Sequence, residues 1–242
     1  MNAPWERIDG AGPMLLIADH ASNRVPLGID LGVPDAIMGE HVAIDIGVAP
    51  LGRALCARIG MAGILGNVSR LVIDLNREPD AAGLIPGASD GHVIAGNATL
   101  DEAGRADRIA TFWTPYHAEI ERTIAAVRPT LLISLHSFTP ALREGGAPRP
   151  WEVGVLYNED ERAARIAIPL FEAAGIVTGD NQPYSGKVLN ATMNRHGEGN
   201  GIPYLGLEVR QDLIGDEEGV AAWCDRLAPV IAATARALGA SA

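Results

Sequence analysis

Short apolar runs rich in leucine and β-branched residues recur along the chain, and each ends on polar residues. They are "MLLIAD" at 14–19, "RLVIDL" at 70–75, "TLLISL" at 130–135, "VGVLY" at 153–157 and "YLGLEV" at 204–209. Unbroken runs of this length predict strands buried on both faces. Between them lie stretches of helical period. In "HVAIDIGVAPLGRALCARIG", 41–60, Ile44, Val48, Leu51, Leu55 and Ile59 share one face, while Gly47 and Pro50 weaken the first turns. The stretch 99–127 opens with Thr99 and Glu102 at capping-box spacing, and its Pro115 predicts a kink or a split. Helical patterns at 159–175 and 216–239 complete the series.

Strands alternating with helices predict an α/β fold, a mostly parallel mixed sheet flanked by helices on both faces. No Ser/Gly-rich or highly charged linker divides the 242 residues, so one domain over 1–242 is expected. In such sheets ligands gather beyond the carboxyl ends of the strands. The aperiodic Gly- and Pro-rich segment 78–98 follows a predicted strand end and is expected to form a wall or lid of the site; "TPALREGGAPRP" at 139–150 is read the same way.

The polar ends of the runs carry the candidate chemistry. Asp19 and His20 end the first, Asn76, Arg77 and Glu78 follow the second, His136 and Ser137 end the third, and Glu208, Arg210 and Asp212 mark the last. His20 and His136 on one rim suit zinc, which takes imidazole and carboxylate donors and in catalytic sites keeps a position open for water. Asp45 is the candidate third ligand, with Asn23 its competitor by spacing; a neutral amide is the poorer donor. Strand-end histidines also serve as caps or hydrogen-bonded core residues, and residue type alone leaves both readings open.

Arg70 and Arg77 bracket the second run in an otherwise acidic chain and suggest capture of a carboxylate, with ion pairs to Asp74, Glu78 or Glu208 as the alternative. Glu208 sits inside an apolar run. A carboxylate there is either neutralised, by Arg210 for instance, or held near a reacting water as a general base. His117 is expected to pack near Trp113, and His196 to lie in a Gly-rich loop. Tyr184 and Ser185 in "PYSGK" are available to a substrate or to a plain turn.

Charge narrows the partners. The formal net charge is -11, which opposes nucleic acid and anionic membrane surfaces. The first residues have neither the basic nor the apolar region of a secretion signal, and no apolar run approaches a membrane span, so a cytoplasmic location is expected. Cys56 and Cys224 lack a CxxC partner and are read as buried structural thiols.

Over roughly residues 14–213, through "DHASNRVP", "DIGVAPLGRAL", "VSRLVIDLNREP", "LLISLHSFTP", "RPWEVGVLYNED", "DNQPYSG" and "LEVRQDL", the chain resembles the N-formylglutamate amidohydrolase family. That family is similar to zinc carboxypeptidases and aspartoacylase-type deacylases, and the resemblance implies a zinc-carboxypeptidase-like, phosphorylase/hydrolase-like fold. It implies hydrolysis of N-formyl-L-glutamate to formate and glutamate, a step of histidine degradation, with one zinc ion. His20 and His136 then correspond to metal ligands, Asn76 and Arg77 to the pair that holds a substrate carboxylate, Arg70 to the arginine that polarises the scissile carbonyl, and Glu208 to the carboxylate that activates water. Arg210 would serve a second carboxylate or restrain Glu208, with Ser137 and Tyr184 as further substrate contacts. Asn23 stands where the carboxypeptidase pattern has glutamate, so the third ligand is Asp45 or Asn23, with Asp45 preferred. The same constellation would serve a deacylase or carboxypeptidase-like hydrolase for another N-acyl amino acid or small peptide, or a binding protein that kept the fold without the metal.

Overall fold

The computed structural model describes residues 3–141 and 148–240. In chain order the first half contains β1 (Trp5–Ile8), β2 (Met14–Ala18), α1 (Val48–Ile59), β3 (Ala62–Gly66), β4 (Ala88–Ser89), β5 (His92–Val93), α2 (Ala95–Ala98), α3 (Glu102–Arg108) and α4 (Thr114–Val127). The second half contains β6 (Leu131–Phe138), β7 (Val153–Leu156), α5 (Arg162–Ala173), β8 (Thr178–Asp180), α6 (Ala191–His196), β9 (Tyr204–Arg210) and α7 (Glu217–Ala240).

Seven strands form one mixed sheet in the order β1-β3-β2-β6-β9-β7-β8. The four from β3 to β9 run parallel, β7 and β8 run against them, and β1 closes the other edge antiparallel to β3. Every residue of β2, β3, β6 and β7 is buried, which requires cover on both faces of the sheet. Helix α1 lies against β2, β3 and β6, and α7 packs on α1 and α5; α5 covers β7, β8 and β9, and α4 packs against β2 and β3. The expected fold class is the observed one. Leu15, Leu16 and Ile17 are fully buried, each side chain contributing about 1.5–3 kcal/mol relative to exposure. No helix among the described residues is long and apolar enough to cross a membrane.

Three expectations are corrected. The run 70–75 is not a strand: its backbone turns, with Val72 N–H donating to Ser69 O and Asp74 N–H to Leu84 O. Leu71, Val72, Ile73 and Leu75 are all buried, and side chains satisfy two of their carbonyls, Asn97 Nδ2 bonding Leu71 O at 2.7 Å and Arg108 Nη1 bonding Val72 O at 2.9 Å. An apolar run can therefore lie in the core without a neighbouring strand, provided donors reach its backbone. The helical cap at 99–102 is supplied by Asp101, whose carboxylate accepts from Gly104 N–H at 2.8 Å, rather than by Thr99. The first helix begins only at Val48, which leaves Asp45 in the turn before it. Gly47 permits this turn: its φ is +80°, and a Cβ there would lie 2.1 Å from Ile214 O.

Segment 78–98, aperiodic in sequence, contains a hairpin and a short helix. Asp90 and Gly91, both at positive φ, turn β4 into β5, as a two-residue Asp-Gly hairpin requires. His41 Nε2 to Asp90 Oδ2, 3.0 Å, and His92 Nε2 to Glu40 Oε2, 3.4 Å, tie this hairpin to the segment around residue 40. Pro115 falls in the first turn of α4, where a missing N–H costs least, and a π-helical turn over Ile109–Trp113 joins α3 to α4. Of the second expected wall, residues 142–147 lie outside the described residues.

Candidate active site

His20 follows β2 by two residues, and its carbonyl accepts from Asp45 N–H at 3.0 Å, which draws the turn before α1 onto the end of the strand. His136 lies inside β6, opposite Glu208 in the register with β9. The strand extends past the histidine, so His136 enters from the sheet itself rather than from a loop at its mouth. These elements bring Nδ1 of His20, Oδ2 of Asp45 and Nδ1 of His136 together. Asp45 Oδ2 is 3.4 Å from the first nitrogen and 2.9 Å from the second. The three groups are buried, and their donor atoms lie within 4.8 Å of one another, an arrangement that could hold a metal ion. Asn23 is elsewhere, its amide donating to Met38 O at 2.7 Å.

The far side of each imidazole faces another carboxylate. His20 Nε2 is 2.7 Å from Asp74 Oδ1, and His136 Nε2 is 3.5 Å from Asp19 Oδ2. Asp19, fully buried, is fixed through Oδ1 by the Tyr116 hydroxyl at 2.8 Å and the Thr192 hydroxyl at 3.0 Å. An N–H donated from His20 Nε2 to Asp74 leaves the His20 Nδ1 lone pair for a cation at the Asp45 side, as in histidine-ligated metal sites, while His136 Nε2 and Asp19 Oδ2 face each other without a hydrogen bond among the described residues.

The electrostatics fit the same group. Burial opposes protonation of His136, yet the carboxylates of Asp19 and Asp45 carry it well above its ordinary pKa. Burial and the Arg70 charge oppose protonation of His20, and Asp74 and Asp45 outweigh them. Burial works against ionising Asp45 and Asp74, but His20 and Arg70 hold both carboxyls below the usual range. The ring of carboxylates thus demands positive charge where the ligand atoms meet, the condition a divalent cation satisfies.

A cavity of about 240 Å³ opens on this centre, lined among others by Arg70, Asn76, Arg77, Ser137, Tyr184 and Glu208. Burial raises the Glu208 carboxyl to about 7 against the opposing His136 charge, and its Oε2 has no hydrogen-bond partner among the described residues. Arg70 holds Asp45 Oδ1 at 3.0 Å and Asp74 Oδ2 at 3.1 Å. Arg77 is less committed, with its Nε 3.9 Å from Asp74 Oδ2. Asn76 Oδ1 accepts from Thr192 N–H at 3.0 Å, and the Ser137 hydroxyl donates to Ile46 O at 2.9 Å. Beside this cavity a second, of about 330 Å³, shares Arg70, Asp74, Arg77 and Tyr184 and is walled by Gly83, Pro86, Ala88, Ser89 and Asp90. Segment 78–98 therefore walls this second cavity rather than the one that opens on the ligand atoms.

Two expectations fail at the rim. Arg210 does not line the cavity or restrain Glu208; its Nε bonds Asp212 Oδ1 at 2.8 Å and its Nη1 reaches Trp151 O, so the charges facing Glu208 come from His136 and Arg70. His196 is fully buried at the end of α6 instead of lying in a solvated loop, and its Nε2 is 2.8 Å from His117 Nδ1. His117 packs on Trp113 as expected, ring centroids 4.1 Å apart. Residue pattern assigned no role in the site to Asp74, Asp19 or His41. For Asp74 the signal was present: a carboxylate inside an apolar run, the feature that singled out Glu208. Cys56 and Cys224 are buried and unbridged.

Comparison with known proteins follows this geometry. The N-formylglutamate amidohydrolase family matches residues 12–215. A crystal structure of a gene product from Agrobacterium tumefaciens is 28% identical with a TM-score of 0.93, covering 98% of this chain and 97% of that one. The crystal structure of N-formylglutamate amidohydrolase from Ralstonia eutropha is 20% identical with a TM-score of 0.76, covering 98% of both chains, and shows the shared fold. No curated protein matches. The match spans most of the chain, and the chain belongs to the N-formylglutamate amidohydrolase family, as an amidohydrolase.

Proposed function

We propose that this amidohydrolase cleaves the amide of an N-acyl acidic amino acid, with N-formyl-L-glutamate the substrate that family membership favours, and that it works with one zinc ion held by His20, Asp45 and His136. The observation that carries the reading is the meeting of those three ligand atoms at a cavity which also receives Glu208, a buried carboxylate with a free oxygen. A zinc ion bound there supplies Lewis acidity toward water and toward the amide carbonyl.

The chain's own residues do the rest. Glu208, raised to about 7, is matched to taking a proton from the attacking water and returning it to the departing amine nitrogen. The Arg70 guanidinium lies beside Asp45 and lines the cavity, so its charge favours the oxygen that turns anionic as the carbonyl is attacked. Arg77, with Asn76 next to it, is suited to the carboxylate of the amino-acid portion, because among the described residues only one long contact occupies its guanidinium. Tyr184 and Ser137 line the space the substrate would fill. Asp74 keeps the His20 imidazole in the tautomer that offers Nδ1, and Asp19 lies beside the far side of His136.

The test is formate release from N-formyl-L-glutamate by zinc-loaded protein, with a chelator-stripped sample alongside. Turnover that needs the metal supports reaction and cofactor together. A zinc-replete protein that releases no formate refutes the substrate, and turnover unchanged after stripping refutes the metal.

A further inference from the structure

The substrate class proposed above carries two carboxylates, and Arg77 accounts for one. Arg210, the cation expected to take the other, is occupied by Asp212 away from the cavity. Most other arginines near the site are also engaged: Arg70 by two aspartates, Arg195 by Glu78 at 2.8 Å.

Arg149 is different. Its Nη1 donates to Thr139 O at 3.1 Å and to the Tyr184 hydroxyl at 3.1 Å, both neutral acceptors. Its guanidinium carbon lies 4.9 Å from the centre of the Tyr184 ring. Among the described residues no carboxylate lies within ion-pair distance of it, in a chain whose net charge is -11. Thr139 follows the end of β6 and Tyr184 belongs to the opposite segment after β8, and both line the cavity. Arg149 therefore braces two walls of the site through a single nitrogen. Its Nε and Nη2, the edge that makes a two-point bond with a carboxylate, have no hydrogen-bond partner among the described residues. Among the described residues Arg149 is thus a half-buried cation with no carboxylate partner, lying over the Tyr184 ring and held by two residues that line the cavity.

We propose that Arg149, braced by Tyr184, binds the side-chain carboxylate of the substrate while Arg77 binds the α-carboxylate, so that this pair sets the preference for an acidic over a neutral amino acid. The inference rests on the amidohydrolase reading above and adds a specificity determinant to it. N-formyl-L-glutamine is the informative competitor, since it differs from N-formyl-L-glutamate only in having an amide for the side-chain carboxylate.

The experiment compares kcat/KM for these two substrates in the zinc-loaded native protein and in three variants. The native protein should favour the glutamate substrate by about 10- to 100-fold, the range of one charge-assisted contact. Arg149→Met should abolish that preference, lowering the glutamate value by the same factor and leaving the glutamine value within about threefold. Arg149→Lys, which keeps charge without the planar fork, should recover part of it. Tyr184→Phe keeps the ring and removes the hydroxyl, and should erode the preference in the same direction by a smaller factor. A merely structural Arg149 would lower both substrates together in every variant, and that outcome overturns the proposal. An unchanged preference in Arg149→Met, or no preference in the native protein, overturns it as well while leaving the enzyme reading standing. No formate from either substrate in the native protein removes the reading beneath it.

Discussion

His136 and Glu208 are register partners on the adjacent parallel strands β6 and β9, and both are buried where the sheet meets the cavity. Residues opposite one another in a sheet share a face, so a candidate metal ligand and a candidate general base are held side by side by the backbone ladder. Neither position depends on a loop. Such placement suits a proton carrier that must keep its distance from the reacting water constant through turnover.

Glu208→Gln should therefore lower turnover by about two to four decades while zinc content per chain stays near native, because an isosteric amide keeps the fold and cannot carry the proton. Formate kinetics and metal analysis on the same preparation check this. Native turnover in the variant would remove Glu208 from the chemistry.

Asp74→Ala should weaken zinc binding by about 10- to 100-fold, since Asp74 fixes the tautomer of His20; Asp19→Ala, which removes a carboxylate facing His136 without a hydrogen bond to it, should weaken it less. Competition against a chelator of known affinity measures it. Asp74 should matter more, because its contact with His20 is 2.7 Å whereas Asp19 stands 3.5 Å from His136.

The buried pair His117 and His196 should make the protein acid-sensitive. His117 Nε2 lies 3.0 Å from Leu75 O and so must donate to it, which makes His117 Nδ1 the acceptor and His196 Nε2 the donor of their mutual bond. Among the described residues His196 Nδ1 is left buried without a partner, and a proton there would find no acceptor among them. Burial accordingly lowers His117 to about 4, and burial with the neighbouring His117 lowers His196 to about 3. A histidine depressed in the folded state binds fewer protons than it does unfolded, so its contribution to stability is intact above about pH 6.5 and declines below it. At pH 5 each costs up to about 2 kcal/mol. Urea unfolding at pH 7 and pH 5 should show a smaller pH dependence in the His117→Asn/His196→Gln double variant than in the native protein. Equal dependence would show that the pair is not held neutral.

Asn97→Ala should destabilise the fold by about 1–3 kcal/mol, because the buried carbonyl of Leu71 and the half-buried carbonyl of Pro86 lose donors and the buried Arg108 loses an acceptor. The urea midpoint is the measure, and a loss below about 0.5 kcal/mol would mean that water or a local shift replaces those bonds. The same change should raise KM, since the segment Asn97 supports carries Arg70, Asn76 and Arg77.

Local pattern determined much of this protein. Four of the five apolar runs are strands because parallel strands covered on both faces need unbroken apolar sequence, and the helical stretches form where their period presents one apolar face. The residues that gather at the cavity were legible for the same reason: a polar group at the end of a buried run, or inside one, must be explained by something it meets. β1, β3 and β8 were missed because they are short or rich in glycine and alanine and take their conformation from neighbours rather than from their own propensity.

Tertiary structure decided what distance alone can decide. Run 70–75 has the composition of a strand, yet it turns because side chains from Asn97 and Arg108 reach its carbonyls, a bond pattern no local spacing encodes. Asp45 rather than Asn23 stands between the two histidines because Gly47 turns beneath Ile214 and Asp45 bonds the His20 backbone. Arg210 is drawn off by its near neighbour Asp212, while Arg149 is held between Thr139 and Tyr184 from two other segments. Hydrophobic burial is written residue by residue along the chain, whereas the pairing of charges is settled only when distant segments meet, since a charge takes the closest partner that folding brings to it.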